Sequence, residues 1–239
     1  MSFFIADLHN DLRQARLTRR GATVGEGAKT GLHKAYLRMP RIELPAPSAP
    51  VVSLADALLS RASAYASRAA ALSAEDLGTL FGLALGMRAG RAQRTYPSGG
   101  ALYPIEAYLV VSKEGGIGPG VYHYNPTLHA LERLWEVPAH IEAEDLVLRP
   151  DERLHASGLV VLTGVWGRSA AKYGDFAYVL ALLEAGHISQ NLLLTATALG
   201  LSTRPLAAFD APAIETLLDL DPAHEQVVLT ILLAKPPRA

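Results

Sequence analysis

The chain of 239 residues contains no cysteine. That excludes disulfides, a thiolate nucleophile, cysteine-type zinc sites and iron–sulfur ligation together, and it fits a cytoplasmic protein. Net charge is nearly absent, with 22 basic against 23 acidic residues. No basic block or aromatic-basic interleaving points to nucleic acid, and bulk charge does not select the substrate. A secretory h-region is missing, because Asp7 interrupts the short apolar start at Phe3–Ala6. A membrane span is missing too: the most apolar stretch, 176–201, carries Glu184, His187, Gln190 and Asn191 in its middle, where lipid tolerates them least. With neither repeats nor a long linker, one compact unit with a sizeable core is expected.

What the chain does have is concentrated in R-T-Y-P-S-G-G-A-L-Y-P-I-E-A-Y, Arg94 to Tyr108. Arg94 offers a fixed cation and Ser98 a hydroxyl, and Gly99–Gly100 form a backbone that a flat ligand approaches without meeting a Cβ. Pro97 and Pro104 stiffen both ends. A rigid, donor-bearing loop opening onto a strand suits ligand capture. By spacing alone it is equally a Pro/Gly turn between elements.

Around that loop the elements follow from periodicity. Pro40, Pro45, Pro47 and Pro50 impose an extended path, so residues 1–50 read as an arm that wraps a neighbour or covers a site, its first thirty residues equally a disordered leader. Residues 51–239 read as the folded domain. Ser53–Ala71 is helical by composition, and the Ser73–Asp76 capping box starts a helix that runs to about Gly86. Ile105–Ser112, V-Y-H-Y-N and Leu128–Trp135 predict an antiparallel meander, with the glycines between 115 and 120 as a hairpin turn. Leu159–Trp166 reads as a central strand, 176–199 as a long helix, 213–218 as a short helix and Gln226–Leu233 as the last strand. Strands, then helices, then a late strand predict an α+β layered fold. The long helix is apolar nearly all round and must be covered. Gly186 and its alanines let another backbone come close. Glu184 and His187 have E-x-x-H spacing, but no second such pair is visible. No metal is therefore expected, and His187 reads as a core histidine.

Four segments in order resemble the SagB-type dehydrogenases, a branch of the FMN-dependent nitroreductase superfamily. They are K-A-Y-L-R-M-P-R-I-E-L-P from Lys34, the R-x-Y-P-S-G-G-A-L-Y-P loop, R-S-A-A-K-Y-G-D from Arg168, and A-G-H-I-S-Q-N-L-L-L-T-A-T-A-L-G-L from Ala185. The resemblance implies a nitroreductase-like fold, a mainly antiparallel central sheet flanked by helices, in an intertwined homodimer with FMN at the subunit interface. Arg94, Pro97, Ser98, Gly99 and Gly100 would line the flavin. Arg61 and Ser63, matching two positions of an R-x-S-x-R pattern, would meet its phosphate, with Arg238 near the C-terminus as a further contact. Tyr65 stands where relatives carry the second arginine, and Phe176 and Val179 stand where they often carry arginines.

The same resemblance gives Lys172 and Tyr173 the catalytic role, promoting removal of an α-proton while hydride passes to flavin N5. An ordinary lysine, with a pKa of about 10.4, becomes a base only if burial penalises its ammonium. A position between a buried strand and a buried helix favours that desolvation. Without the resemblance, a lysine at a strand end is ordinarily solvated. The implied reaction is oxidation of a thiazoline or oxazoline to its azole, in a small heterocycle or a modified peptide, in company with a cyclodehydratase. An NAD(P)H-dependent nitro or quinone reductase, and a non-catalytic flavin-binding or interaction protein, are the alternatives.

Overall fold

The computed structural model describes Asp7, Leu8, Asn10, Asp11, Leu12, Gln14 and residues 32–63, 69–138, 141–147 and 155–236. The leader at 1–30 lies largely outside the described residues, and Tyr65 and Arg238 lie wholly outside them. No described helix is long and apolar enough to cross a membrane.

The frame is a seven-stranded sheet in the order β1-β4-β3-β2-β5-β7-β6, every neighbouring pair antiparallel. Its strands are β1 (Arg41–Glu43), β2 (Ile105–Val111), β3 (Gly120–Asn125), β4 (Ala130–Trp135), β5 (Gly158–Val165), β6 (Ser202–Leu206) and β7 (Glu225–Ala234). β2 and β5 sit centrally and are buried almost throughout, as their unbroken apolar runs require. The meander β2-β3-β4 forms as expected, with Gly115, Gly116 and Gly118 at positive φ in its first turn. Strand alternation divides β2 between two cores. Ile105, Ala107, Leu109 and Val111 face one; Tyr108 and Val110 face the other.

Over the first face lie α2 (Ala74–Leu85) and α4 (Phe176–Ala198). Ser73 and Asp76 cap α2 reciprocally: the Asp76 amide donates to Ser73 Oγ at 3.2 Å and the Ser73 amide to Asp76 Oδ2 at 3.1 Å. The 23 residues of α4 make a rod about 35 Å long. It stops where Gly200 adopts φ +72° and the Gly200 and Leu201 amides bond back to Thr197 and Ala196, a Schellman closure. Over the second face lie a 3-10 turn at Ala143–Leu146 and α5 (Ala211–Leu217).

Three expectations need correction. Among the described residues the helix expected over Ser53–Ala71 is α1, Leu54–Ser60, and residues 64–68 of that span lie outside them. Ser60 Oγ donates to the Asp56 carbonyl at 2.6 Å, Arg61 turns extended, and Ser63 forms a bridge to Thr203 beside the β6 edge. The serines in this alanine-rich stretch offer the backbone competing hydrogen bonds. The long helix is not covered on all sides within the protomer, since Tyr178, Leu182 and Leu183 remain exposed. His187 lies on that open side rather than in the core.

Candidate active site

The loop from Arg94 to Pro104 is held by what its residues give up to one another. Its backbone has positive φ at Gly100 (66°), Ala101 (54°) and Tyr103 (48°), a cluster that side-chain-bearing residues adopt only when their surroundings over-determine them. Tyr103 is so determined. Its amide donates to Ser98 Oγ at 2.9 Å, its hydroxyl accepts from the Arg94 amide at 3.2 Å, and its carbonyl accepts from Arg168 Nη1 at 2.9 Å. The Arg94 guanidinium lies over its ring at 4.7 Å.

Arg94 is thus placed differently from the free cation its position suggests. It is 6 % exposed, and its guanidinium donates to the Tyr96 hydroxyl at 2.7 Å and to the Leu32 carbonyl at 2.6 Å. It ties the loop to the N-terminal arm. Pro97 and Gly100 are exposed and Ser98 and Gly99 half-buried, so the four form an open lip.

Beside this lip stands α3, Gly167–Tyr173, which no sequence signal separated from the strand before it. Gly174, at φ 57°, ends it and turns the chain into α4. A Cβ built on Gly100 would lie 2.6 Å from the Tyr173 hydroxyl and 2.9 Å from Lys172 Nζ, and one on Gly99 would lie 3.1 Å from a methyl of Leu180. The two signature segments therefore meet, and glycine is what lets them. Lys172 Nζ sits 5.3 Å from the Tyr173 ring centroid. Lys172 is nevertheless exposed and Tyr173 only half-buried. The expected burial of Lys172 fails in the protomer, because no described element packs over the outward face of α3.

Beneath the site runs a buried polar network that sequence reading missed. Arg168 anchors α3 through an ion pair with Glu106 on β2. His123 bridges two carboxylates, with Nε2 2.8 Å from Glu106 and Nδ1 2.9 Å from Glu132. The Lys34 amide donates to Glu106 at 2.6 Å, and Lys34 Nζ pairs with Glu225 and donates to the Tyr108 hydroxyl at 2.9 Å. Burial alone would raise the Glu106 pKa. The hydrogen bond and charge of His123 and the Arg168 guanidinium overcome it and hold the carboxyl at about 2. Burial alone would lower His123, and the two carboxylates overcome it and raise it. The one available signal was a glutamate in an otherwise apolar strand, which requires a buried partner.

Glu184, on the buried side of α4, behaves oppositely. It is 2 % exposed, and neither carboxyl oxygen makes a hydrogen bond. Burial raises it to about 7, against weaker stabilisation of its charge by the Ser98 hydroxyl, the Ile105 amide, Arg94 and Arg168.

The residues expected at a phosphate lie elsewhere. Ser63 makes the bridge to Thr203, with Arg61 two residues before it, and Thr203 pairs with Leu233 near the far end of β7. The loop and α3 adjoin the end where Val165 pairs with Glu225. Eight residue steps along β7 separate the two ends, about 27 Å of strand. Lys235, at the far end, spends its ammonium on Asp76.

An antiparallel sheet layered on one long helix is an α+β architecture common to many enzymes. The model of the nitroreductase family matches residues 58–235, so this chain belongs to the nitroreductase family and is an oxidoreductase. Among relatives, it is 30% identical over 179 residues to a Methanocaldococcus jannaschii protein named as a nitroreductase, covering 75% of this chain and 90% of that one. It is 34% identical over 137 residues to the microcin B17-processing protein McbC of Escherichia coli, covering 55% of this chain and 50% of McbC. That match bears out the resemblance to the SagB-type branch, although the chain spans only half the length of McbC. Among solved structures it matches a chain of the E. coli microcin synthetase McbBCD complex with truncated pro-MccB17 bound, with TM-score 0.67, 24% identity, 98% of this chain and 93% of that chain. A nitroreductase-like protein from Desulfovibrio desulfuricans in complex with FMN matches with TM-score 0.50 and 18% identity over 77% of this chain and 87% of that chain.

Proposed function

We propose that the chain is an FMN-dependent dehydrogenase that oxidises azoline rings, thiazoline or oxazoline, to azoles in a modified peptide. The observation that carries this reading is the approach of Lys172 Nζ and the Tyr173 hydroxyl to the Gly100 backbone, which sets a proton-handling pair against a surface fit for a flat ring. The residues fit the group: the lip has no Cβ at Gly99 or Gly100, and a methyl at Gly100 would fill the space beside Tyr173. FMN supplies the two-electron acceptor when bound. Lys172 or Tyr173 would take the α-proton, while Pro97, Ser98, Gly99 and Gly100 would hold the ring system and Arg94 would keep the loop in shape.

Arg61 and Ser63, with Arg238 as a further contact, would hold the phosphate. Because Arg61 and Ser63 lie at the other sheet end, the site is best read as shared by two protomers, each giving one half. Leu54, Leu58 and Leu59 on α1 and Tyr178, Leu182 and Leu183 on α4 are exposed, and such apolar surface favours a homodimer. The match to a chain of a microcin synthetase complex supports a cyclodehydratase as a working partner.

The first test is the visible absorption of the purified protein, with the released chromophore identified by mass. FMN bands, a dimer by sedimentation and oxygen-dependent conversion of an azoline peptide are expected. A colourless protein that fails to bind added FMN overturns the reading. Reduction of nitro or quinone compounds by NAD(P)H, with azolines untouched, replaces it by the reductase alternative.

Gly100→Ala tests the lip. At φ 66° an alanine costs about 1–2 kcal/mol, and its methyl would displace Tyr173. Unchanged circular dichroism with azoline turnover lowered about a hundredfold is expected; full turnover would show that the lip and the Lys172–Tyr173 pair act apart.

A further inference from the structure

Glu184 has no place in the chemistry above, yet it is the one acidic side chain that α4 turns inward beneath the lip. The geometry starts one turn earlier. Leu180 touches the position of Gly99, and side chains on a helix lean toward its N-terminus, so Glu184, four residues on, leans back toward the same loop. Its neighbours there are the Ser98 hydroxyl and the Ile105 amide. Ser98 Oγ already accepts from the Tyr103 amide, which leaves its own proton to give. A buried carboxyl with both oxygens unpartnered is the acceptor at hand, and such a vacancy is costly unless it is used.

We propose that Glu184 is a positioning residue for the lip. As a carboxylate it accepts the Ser98 hydroxyl proton in a hydrogen bond and holds the Pro97–Gly100 backbone down against α4 and beside Lys172–Tyr173; as a neutral acid it releases that backbone. The inference rests on reading the lip as the surface that receives the flavin.

The surrounding charges fit a group that ionises in place. The loop contributes Arg94, the buried Tyr96 phenol and the Ser98 hydroxyl, and α3 contributes Arg168. β2 contributes the Ile105 amide, its Glu106 side chain turning to the opposite face with His123. The α2 residues in the shared core, Leu77, Leu80, Phe81 and Ala84, carry no charge. Two cations and two donors therefore favour the carboxylate against burial, and the balance falls near neutrality. Rising pH then tightens the lip and falling pH loosens it.

The test is hydrogen exchange of the Gly99 and Gly100 amides in the full-length protein, with and without added FMN. It is run at about pH 6 and about pH 8 and corrected for intrinsic rates, so that the two conditions flank the carboxyl's midpoint. A hydrogen bond to a charged acceptor predicts exchange about tenfold slower at the higher pH in wild type. Glu184→Gln, which keeps the shape and removes the charge, is expected to abolish that difference, and so is Ser98→Ala, which leaves α4 untouched and serves if the first variant does not fold. A pH-independent wild type overturns the proposal, as does a pH difference that survives either substitution. Failure of wild type to bind FMN while the exchange pattern holds overturns the flavin reading and leaves the coupling of Glu184 to the loop intact.

Discussion

Lys172→Ala is expected to retain flavin and lose azoline oxidation by about 10²–10⁴-fold, the usual worth of a positioned general base. Retention follows from placement: Lys172 lies on the open face of α3 and, among the described residues, makes no bond that holds the loop, whose conformation depends on Arg94, Tyr103 and Arg168. Loss follows from proximity, since its ammonium and the Tyr173 hydroxyl are the polar side-chain groups nearest Gly100. Tyr173→Phe removes only the hydroxyl and separates the two roles. If tyrosine is the proton acceptor, the phenylalanine variant falls as far as the alanine variant; if it orients lysine, the fall is smaller and lies in kcat rather than KM. The comparison is made by single-turnover reduction of bound flavin with an azoline peptide. Flavin loss in Lys172→Ala, or undiminished reduction, removes the catalytic role from Lys172. Because Lys172 is exposed in the protomer, whatever excludes water from it must come from the substrate or a second copy, and the same kinetics below the dimer dissociation constant are expected to fail.

How much of this was legible depended on whether the signal was local. Capping at Ser73, the glycine turn after β2 and the apolar runs of β2, β5 and β7 are written into neighbouring residues, and each element stands where periodicity puts it. β1 and β6 were illegible because three residues beside prolines, or five with Pro205 inside, become strands only through an edge partner. The overlong α1 is the same lesson reversed. Alanine-rich composition favoured helix, but pairing of Ser63 with Thr203 decides where the chain goes.

At the site, the loop and the Lys172–Tyr173 pair were legible as motifs, and their meeting was not, because 71 residues lie between Gly100 and Lys172. Arg94 was read as a cation for a ligand because its donors were visible and their takers were not. The Tyr96 hydroxyl and Leu32 carbonyl are found only in three dimensions. Glu184 and His187 shared an E-x-x-H spacing, three residues apart on one helix. The helix turns one inward and the other out, and only the first is near the loop.

Glu106→Ala is expected to produce the largest loss of stability of any single substitution discussed. It strips Arg168, His123 and the Lys34 amide of a shared acceptor, and removing one partner from a buried ion network costs about 3–5 kcal/mol because the rest stay buried and unpaired. For a chain of this size that lowers the thermal midpoint by about 6–20 °C. The pH dependence has a definite sign. Glu106 titrates near 2 in the fold rather than at its ordinary 4.5, so its contribution is complete above 4.5 and is lost as pH falls through about 2. His123, raised above 6.5, contributes fully below that value and loses its contribution as pH rises through its folded value. Wild type should therefore hold a plateau between these limbs, and Glu106→Ala should be flatter on both, since His123 loses one of its two carboxylates. Asp76→Asn, at the partly exposed pair with Lys235, is the contrast, costing about 1 kcal/mol. Denaturant midpoints for the two variants across acid to neutral pH decide the matter. Equal losses would mean that the network is wet rather than buried. A large loss confined to Glu106→Ala, accompanied by faster exchange at Tyr103, would show that the arm, the loop and α3 are held by one carboxylate.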